Sequence, residues 1–187
     1  MDTPQLTSSQ ILLVGDSCVD EYLLGEVSRL SPEAPVPVVN VSKTTSTGGM
    51  ASNVLNNLVS LGNKVDLITN RGGLKKTRVI DTKSHQQLLR IDREEAVDSF
   101  DIDSVLSVPT RYDAFVVSDY NKGFISLASL TELVEMAHAQ SIPVFIDSKK
   151  TNLFGIKKCF IKINQKEYDA LTMFSSDNKF IITLGDK

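Results

Sequence analysis

Residues 11–39 read ILLVGDSCVDEYLLGEVSRLSPEAPVPVV. The stretch begins with four apolar residues, Ile11–Val14, and the apolar run stops at Gly15. A short apolar run closed by glycine is typical of a buried strand that ends in a sharp turn. Asp16 and Asp20 follow, and in open α/β sheets ligands bind beyond the carboxyl ends of strands, so both carboxylates are expected near such an edge. By pattern alone, however, a turn aspartate and a solvated aspartate are the simpler interpretation.

The second half of the chain alternates between strand and helix patterns. Predicted strands cover residues 114–117, 144–146, 160–163 and 180–184, and helices are predicted at residues 102–107, after Ser126 as N-cap, and from Asn164 through Leu171. Strands alternating with helices form parallel sheets with right-handed crossovers. Polar residues follow the strand ends, at Asp16, Ser118, Asp119, Asp147 and Asn164. Because the carboxyl ends of parallel strands share one edge, the sequence predicts one polar cleft in an α/β fold.

The first half contains strand patterns and one helix. The apolar residues that mark the helix recur at helical spacing between Met50 and Leu61, and Gly62 lies at the expected C-terminal cap. Gly48 and Gly49 precede this helix, where glycines let a ligand approach the backbone at the positive helix N-terminus. Strands are predicted at residues 20–25, 36–42, 64–69, 76–81 and 86–92, and the prolines before residue 38 favour a sheet edge for the second of them.

Composition limits the class of protein. The 187 residues fit one domain, and 41% hydrophobic and 23% charged residues are ordinary for a soluble globular protein. A net charge of −3 argues against nucleic-acid binding. Cys18 and Cys159 stand alone, which favours reduced thiols in a cytoplasmic protein over a disulfide or zinc site, and no metal ligand set is assigned. No signal peptide and no apolar run of about 18 residues is present, so no membrane association is expected.

Several motifs follow one another in the order of a known family. They are GDSCVDEYLLGEVSRLSPEAPVPVV, TGGMASNVLNNLVSLG, KTRVI, HQQLLRID, VVSDYNKG, VPVFIDSKK and INQKEYDAL. Together they resemble the ribokinase-like (PfkB) carbohydrate kinases, and most closely the heptose-7-phosphate kinase domain of bifunctional ADP-heptose synthases. SRLSPEAPVPVV and HQQLLRID are specific to that subgroup. The resemblance implies a ribokinase-like three-layer α/β sandwich with a mostly parallel sheet. It also implies a small β-strand lid, built from strands 20–25, 36–42, 76–81 and 86–92, within one partial domain spanning residues 1–187.

The resemblance also implies two groups of site residues. The substrate-binding residues would be Asp20, Gly48, Gly49, Asn53, Lys76, Arg78, Asp119 and Lys122. The residues on the phosphate and Mg²⁺–nucleotide side would be Asp147, Lys149, Asn164 and Glu167. Asn164 and Glu167 are also spaced as an ordinary capping box, so their pattern alone does not separate a functional from a structural role.

The implied reaction is transfer of the ATP γ-phosphoryl group, with Mg²⁺, to the anomeric hydroxyl of D-glycero-β-D-manno-heptose 7-phosphate. Family members take their catalytic base from a Gly-Ala-Gly-Asp segment at a helix N-terminus, and this sequence stops before it, so no catalytic residue is assigned. A second departure is the short segment 70–74, where the family carries a longer insertion.

Two main interpretations follow. The chain is either a heptose-phosphate kinase whose remaining half comes from a complementary polypeptide, or a catalytically inactive homologue that only binds a sugar phosphate or dimerises. A nucleotide-binding Rossmann protein is a weaker alternative, because Gly15-Asp16 is no GxGxxG motif. The edges of the predicted lid strands also suggest a homodimer.

Overall fold

The structure is a computed structural model that describes residues 7–106 and 111–185. The chain forms two compact units. The larger unit contains the described residues up to Ser17, residues Met50–Arg71 and those from Val97 onward. The smaller unit contains Cys18–Gly49 and Gly72–Ala96.

The strands and helices follow the predicted order. The strands are β1 (Gln10–Gly15), β2 (Ser17–Leu30), β3 (Pro37–Met50), β4 (Lys64–Thr69), β5 (Leu74–Asp81), β6 (Gln87–Glu94), β7 (Ala114–Asp119), β8 (Val144–Ser148), β9 (Phe160–Asn164) and β10 (Lys179–Thr183). The helices are α1 (Ala51–Ser60), α2 (Asp103–Leu106), α3 (Leu127–Ala139) and α4 (Gln165–Asp169). None of these helices combines the length and apolarity that a membrane span needs.

The larger unit is built on a six-stranded sheet in the order β10-β9-β8-β7-β1-β4, with parallel neighbours throughout. Gly15 pairs with Ser118, and Ser118 pairs with Asp147, so these strands end at one edge. The prediction that polar strand ends gather at one edge of a parallel sheet is therefore confirmed. The direction of winding changes between β1 and β7, which is the position where such sheets commonly bind ligands.

The core lies on one face of this sheet, under α3. Its fully buried side chains include Leu12, Val14, Phe115, Leu130, Leu133, Ile146 and Ile161. The N-cap of α3 is Ser126, as predicted, and Ser126 and Ser129 form a reciprocal capping box. Helix α1 packs against β1 and β4, and Gly62, with φ of 88°, follows its C-cap Leu61.

The smaller unit is a four-stranded sheet in the order β3-β2-β5-β6. Strands β2 and β5 are parallel, whereas β5 and β6 form an antiparallel hairpin. Asp81 stabilises this hairpin by accepting hydrogen bonds from the hydroxyl and the backbone N–H of Ser84, which lower the pKa of Asp81 to about 2. Strand β3 follows the proline-rich segment and lies at the sheet edge, as its prolines predict.

Some local predictions were wrong. Strand β2 runs from Ser17 to Leu30, so the predicted strand 20–25 was too short at both ends. Strand β3 extends beyond the predicted strand 36–42 and includes Gly48 and Gly49, and the helix they precede is capped by Met50 with φ of 56° and without a side-chain cap. Helix α4 stops at Asp169, because the chain then turns so that the Thr172 N–H donates to a backbone carbonyl of the preceding loop.

Helix α2 begins one residue later than predicted. It covers Asp103–Leu106, and Ser107, the last residue of the predicted helix, lies outside the described residues.

Candidate functional site

The predicted site residues divide between the two units. The smaller unit contains Asp20, Gly48, Gly49, Lys76 and Arg78. The larger unit contains Asn53, Asp119, Lys122, Asp147, Lys149, Asn164 and Glu167. The chain thus presents two groups of polar residues, each with its own geometry.

One face of the four-stranded sheet carries the charged residues of the first group. In register across β2, β5 and β6, its side chains form the rows Asp20–Lys76–Asp92 and Tyr22–Arg78–Arg90. Side chains two residues apart on a strand share a face, so both rows lie on the same side of the sheet. Three cations and two carboxylates on one face suit an anionic, hydroxyl-bearing ligand. We call this surface the polar face.

An ion pair fixes the centre of the polar face. Arg78 Nη1 donates to Asp20 Oδ1 at 2.5 Å, and the two side chains are 23% and 18% exposed. The hydrogen bond to Asp20 raises the pKa of Arg78, and its guanidinium lies 5.4 Å from the centroid of the Tyr22 ring. The carboxylate and the guanidinium are therefore held in place before any ligand arrives.

Gly49 brings the backbone of β3 against this ion pair. A Cβ atom on Gly49 would lie 2.1 Å from Asp20 Oδ2 and 2.7 Å from Cys18 Sγ, closer than any real contact of that kind. Any side chain at this position would have to displace the Asp20 carboxylate and the Cys18 thiol, so the Gly-Gly element serves close approach to Asp20 within a strand. Burial and the charge of Asp20 raise the pKa of the Cys18 thiol, which argues against a nucleophilic role for it.

The second group surrounds Lys149 at the strand ends of the larger unit. Lys149 Nζ contacts the Glu167 carboxylate and lies 3.7 Å from Asp147 Oδ1. Burial alone would lower the pKa of Lys149, but the hydrogen bond to Glu167 and the charge of Asp147 raise it. Burial alone would likewise raise the pKa of Glu167, and the contact with Lys149 lowers it. Both groups are therefore charged at neutral pH.

The Asn164–Glu167 motif forms the capping box of α4. The Asn164 side chain accepts from the Glu167 N–H at 2.8 Å, and Glu167 Oε2 accepts from the Asn164 N–H at 3.1 Å. The other carboxylate oxygen of Glu167 receives Lys149. The capping box thus orients the Glu167 carboxylate, which binds Lys149. Asn164 and Glu167 therefore have a structural role, and that role is compatible with a functional one.

The remaining predicted residues differ in exposure. Asp119 is buried, and its carboxylate accepts from Ser148 Oγ at 2.6 Å and from Lys150 Nζ at 3.1 Å. Lys122 is half-buried in the turn that follows β7. Asn53 is exposed in the first turn of α1. The buried Asp119 carboxylate therefore binds neighbouring side chains of the protein, whereas the Asn53 side chain is exposed to solvent.

Asp16 joins the elements that carry these residues, although it was not among the predicted site residues. Asp16 Oδ2 accepts from the Tyr120 N–H at 2.7 Å and from the Lys122 N–H at 3.4 Å, and its carbonyl accepts from the Ala51 N–H at 2.9 Å. It is fully buried, and Oδ1 has no hydrogen-bond partner among the described residues. Burial raises the pKa of Asp16. Its position directly after an apolar strand was the only signal in the sequence.

Arg90 was also missed. It lies opposite Arg78 on the polar face and binds Asp92 through two hydrogen bonds of 2.8 and 2.9 Å. Its alternation with Asp92 along a predicted strand, in the segment HQQLLRID, was the available signal.

Comparison with known proteins supports the resemblance. No protein-family model matches the chain. The bifunctional protein HldE of Desulfatibacillum aliphaticivorans is 36% identical over 184 residues, which cover 79% of this chain and 37% of that protein. The HldE of Actinobacillus pleuropneumoniae serotype 5b is 30% identical over 216 residues, which cover 99% of this chain and 45% of that protein. The chain thus spans less than half the length of these relatives. Since the second alignment is longer than the 187-residue chain, that relative carries residues without a counterpart here.

Solved structures give the same fold. Phosphofructokinase-2 from Escherichia coli in complex with fructose-6-phosphate superposes with a TM-score of 0.57 at 15% identity, over 96% of this chain and 75% of that chain. An identity this low supports the fold alone. The motifs, the homology to HldE proteins and this fold together show that the chain belongs to the ribokinase-like (PfkB) carbohydrate kinase family.

Proposed function

We propose that this chain binds a sugar phosphate and forms the substrate side of a carbohydrate kinase. The acceptor would be D-glycero-β-D-manno-heptose 7-phosphate, phosphorylated by ATP at its anomeric hydroxyl for ADP-heptose and lipopolysaccharide core biosynthesis. The observation that carries this proposal is the Asp20–Arg78 ion pair on the polar face, with the glycine backbone of β3 against it. The homology to bifunctional HldE proteins supports the choice of sugar.

The polar face would recognise the two ends of the substrate by different chemistry. Asp20 Oδ2 would accept hydrogen bonds from sugar hydroxyls, and the backbone at Gly48 and Gly49 would contact the same ring. Lys76 and Arg78 would face the phosphate, because charge-assisted hydrogen bonds to phosphate are short and strong. Asn53, Asp119 and Lys122 are further proposed substrate residues. The geometry favours an indirect role for Asp119, which is buried and already paired with Lys150.

The Lys149 group fits the nucleotide side. Mg²⁺ prefers a few carboxylates together with water and substrate phosphates over an all-protein cage. Asp147 and Glu167 offer such oxygens, and the described residues contain no group of three or more His, Cys, Asp or Glu that would form a cage. When bound with ATP, Mg²⁺ would shield the charge of the phosphates. Lys149 would exchange its carboxylate partners for a phosphate oxygen, while Asn164 would keep Glu167 oriented.

The proton acceptor would come from elsewhere. Phosphoryl transfer needs an in-line hydroxyl and a group that takes its proton, and the 187 residues contain no Gly-Ala-Gly-Asp segment. We infer that residues outside these 187 supply it. A second candidate function is that of a catalytically inactive homologue that acts by binding the sugar phosphate.

A homodimer through the smaller unit is a further part of the proposal. The face opposite the polar face carries Val19, Leu23, Val79, Leu89 and Ile91, by register and alternation. Leu89 is 55% exposed, and exposed apolar patches of this kind mark protein–protein contacts. A second copy of this chain, related by a two-fold axis, would cover the same patch on both subunits.

A cytoplasmic location is also part of the proposal. Cys18 and Cys159 are buried and free, as is usual for thiols of cytoplasmic proteins.

The test combines binding with turnover. Calorimetry with heptose 7-phosphate should show binding to the purified chain, and the sugar without its phosphate should bind more weakly. ATP consumption should require, in addition, the residues that supply the proton acceptor. Binding without turnover in any mixture would favour the inactive homologue, and failure to bind the sugar phosphate would overturn the proposal.

A further inference from the structure

Lys150 follows Lys149 of the candidate site directly, but its ammonium group lies inside the protein. The Lys150 side chain is 12% exposed, whereas that of Lys149 is 34% exposed. Lys150 Nζ lies 3.1 Å from Oδ2 of the fully buried Asp119 carboxylate and donates to Asn121 Oδ1 at 3.0 Å. A buried ammonium group is costly unless it is paired and hydrogen-bonded, and here both conditions hold. The motifs that define the site residues assign no role to Lys150.

The Lys150–Asp119 pair joins the segments that follow β7 and β8. The Asp119 carboxylate accepts from Ser148 Oγ at 2.6 Å, and the Asp119 carbonyl accepts from the Lys149 N–H at 2.9 Å. The Lys150 N–H in turn donates to Ser148 Oγ at 3.1 Å. Three consecutive residues, Ser148 to Lys150, therefore each bind Asp119. The backbone of Lys149 is fixed because it lies between two side chains that bind the same buried carboxylate.

The turn after β7 depends on the same carboxylate. Asp119 Oδ1 accepts from the Asn121 N–H at 2.8 Å, and Asn121 has a φ of 58°. This turn also carries Tyr120, whose ring centroid lies 5.8 Å from Lys149 Nζ. On its other contact, Lys149 Nζ binds the Glu167 carboxylate. The turn therefore provides one of the groups that surround the Lys149 ammonium.

We propose that Lys150 is a positioning residue for phosphate binding, which acts through Lys149 and not by its own contact with phosphate. The inference rests on the proposed function, in which Lys149 binds a phosphate oxygen on the nucleotide side. Lys149 has to leave Glu167 for that purpose, so its backbone must stay in place while its side chain moves. Without Lys150, the buried Asp119 carboxylate would lack its cation, and hydration of this charge would loosen the segment that holds Lys149.

A double-variant cycle separates an indirect role of Lys150 from a direct one. The probe is Mg²⁺–tripolyphosphate, which presents phosphate groups without adenosine, and its affinity for the full 187-residue chain is measured by calorimetry. Lys149→Met should weaken binding about tenfold or more, because it removes a charge-assisted hydrogen bond. Lys150→Met should weaken binding about fivefold in the wild-type background and less than about twofold in the Lys149→Met background, because residues that act as one unit are not additive.

Lys166→Met is the control for net charge. Lys166 is exposed in α4, directly before Glu167, and its substitution removes the same charge as the other two. It should change the affinity for Mg²⁺–tripolyphosphate less than about twofold, because exposed charges interact weakly. Equal weakening by Lys166→Met, wild-type affinity in Lys150→Met, or losses in Lys149→Met and Lys150→Met that add in the double variant would each overturn the proposal.

A second variant covers the case in which Lys150→Met does not fold. Asn121→Gly retains a residue suited to the left-handed backbone at this position and removes the amide oxygen that Lys150 binds. It should weaken binding of Mg²⁺–tripolyphosphate about threefold in the wild-type background, and less in the Lys149→Met background. Unchanged binding by Asn121→Gly would overturn the proposal. Circular dichroism melting shows which variants are folded.

Failure of this proposal and failure of the proposed function give different results. If Lys149→Met weakens binding of Mg²⁺–tripolyphosphate but Lys150→Met does not, only the role of Lys150 is overturned. If the wild type does not bind the probe, or if Lys149→Met binds it with wild-type affinity, the nucleotide-side assignment fails and the role of Lys150 fails with it. Calorimetry with heptose 7-phosphate tests the sugar-phosphate assignment separately.

Discussion

Replacing Asp20 with alanine tests the centre of the polar face. Asp20 Oδ1 accepts from Arg78 at 2.5 Å, and Oδ2 lies against the backbone at Gly49. Asp20→Ala removes the proposed acceptor for sugar hydroxyls and leaves the guanidinium of Arg78 without this carboxylate. The substitution should therefore affect ligand binding strongly and folding only moderately.

The magnitudes follow from the ion pair. A hydrogen bond to a charged group contributes about 1.5–3 kcal/mol, so loss of the sugar contacts should raise the dissociation constant of heptose 7-phosphate about 10- to 150-fold. The free energy of unfolding should fall less, by about 1–2 kcal/mol, because the pair is partly exposed and solvent screens it. For a chain of this size that is a loss of about 2–8 °C in melting temperature.

Glu21 provides a matched control in the neighbouring position. Its carboxylate pairs with Lys75 at 2.7 Å and with Thr77 at 2.9 Å, but alternation places it on the opposite face of β2. Glu21→Ala should lower the melting temperature without changing sugar-phosphate affinity. The assay is calorimetry with heptose 7-phosphate, combined with thermal melting of both variants.

Either of two results would contradict a direct role of Asp20 in binding. Unchanged affinity in Asp20→Ala would remove Asp20 from the site. Equal loss of affinity in Glu21→Ala would show that binding follows the stability of the sheet and not the chemistry of the polar face.

Four further predictions concern other elements. Gly49→Ala should weaken sugar-phosphate binding at least tenfold in calorimetry, because its methyl would lie 2.1 Å from Asp20 Oδ2 and displace the carboxylate; unaltered binding would count against the close approach. Asn53→Ala should weaken binding by about 1–3 kcal/mol, and a lower melting temperature with unchanged affinity would make Asn53 structural. Burial raises the pKa of Asp16 above its ordinary 3.8, so ionisation of Asp16 destabilises the folded state. In urea titrations, the free energy of unfolding of the wild type should therefore fall relative to that of Asp16→Asn as pH rises from about 4 to 7. A difference between the two proteins that stays constant with pH would contradict this. Leu89→Lys should convert a dimer into monomers in sedimentation, and a wild-type monomer would remove the proposed interface.

Much of the fold could be predicted because its signals are local. Apolar runs closed by polar residues located β1, β4, β7, β8 and β9 within a few residues, and their alternation with helices indicated the parallel sheet. The motif order added the family and the two groups of polar residues. Gly48 and Gly49 show the limit: their identity was informative, but the strand predicted before them ended at residue 42, whereas β3 continues through both glycines to Met50.

The contacts of the candidate site depended on tertiary structure. Arg78 reaches Asp20 across 58 positions of sequence, and the Asp16 carboxylate holds the turn at Tyr120 from 104 positions away. Sequence by itself determined which residues alternate, which follow strand ends and which family they resemble. Only the tertiary structure decided that Arg90 joins the polar face and that the backbone at Gly49 lies against Asp20. Periodicity is a property of neighbouring residues, whereas strand register, burial and helix coverage arise when distant segments pair.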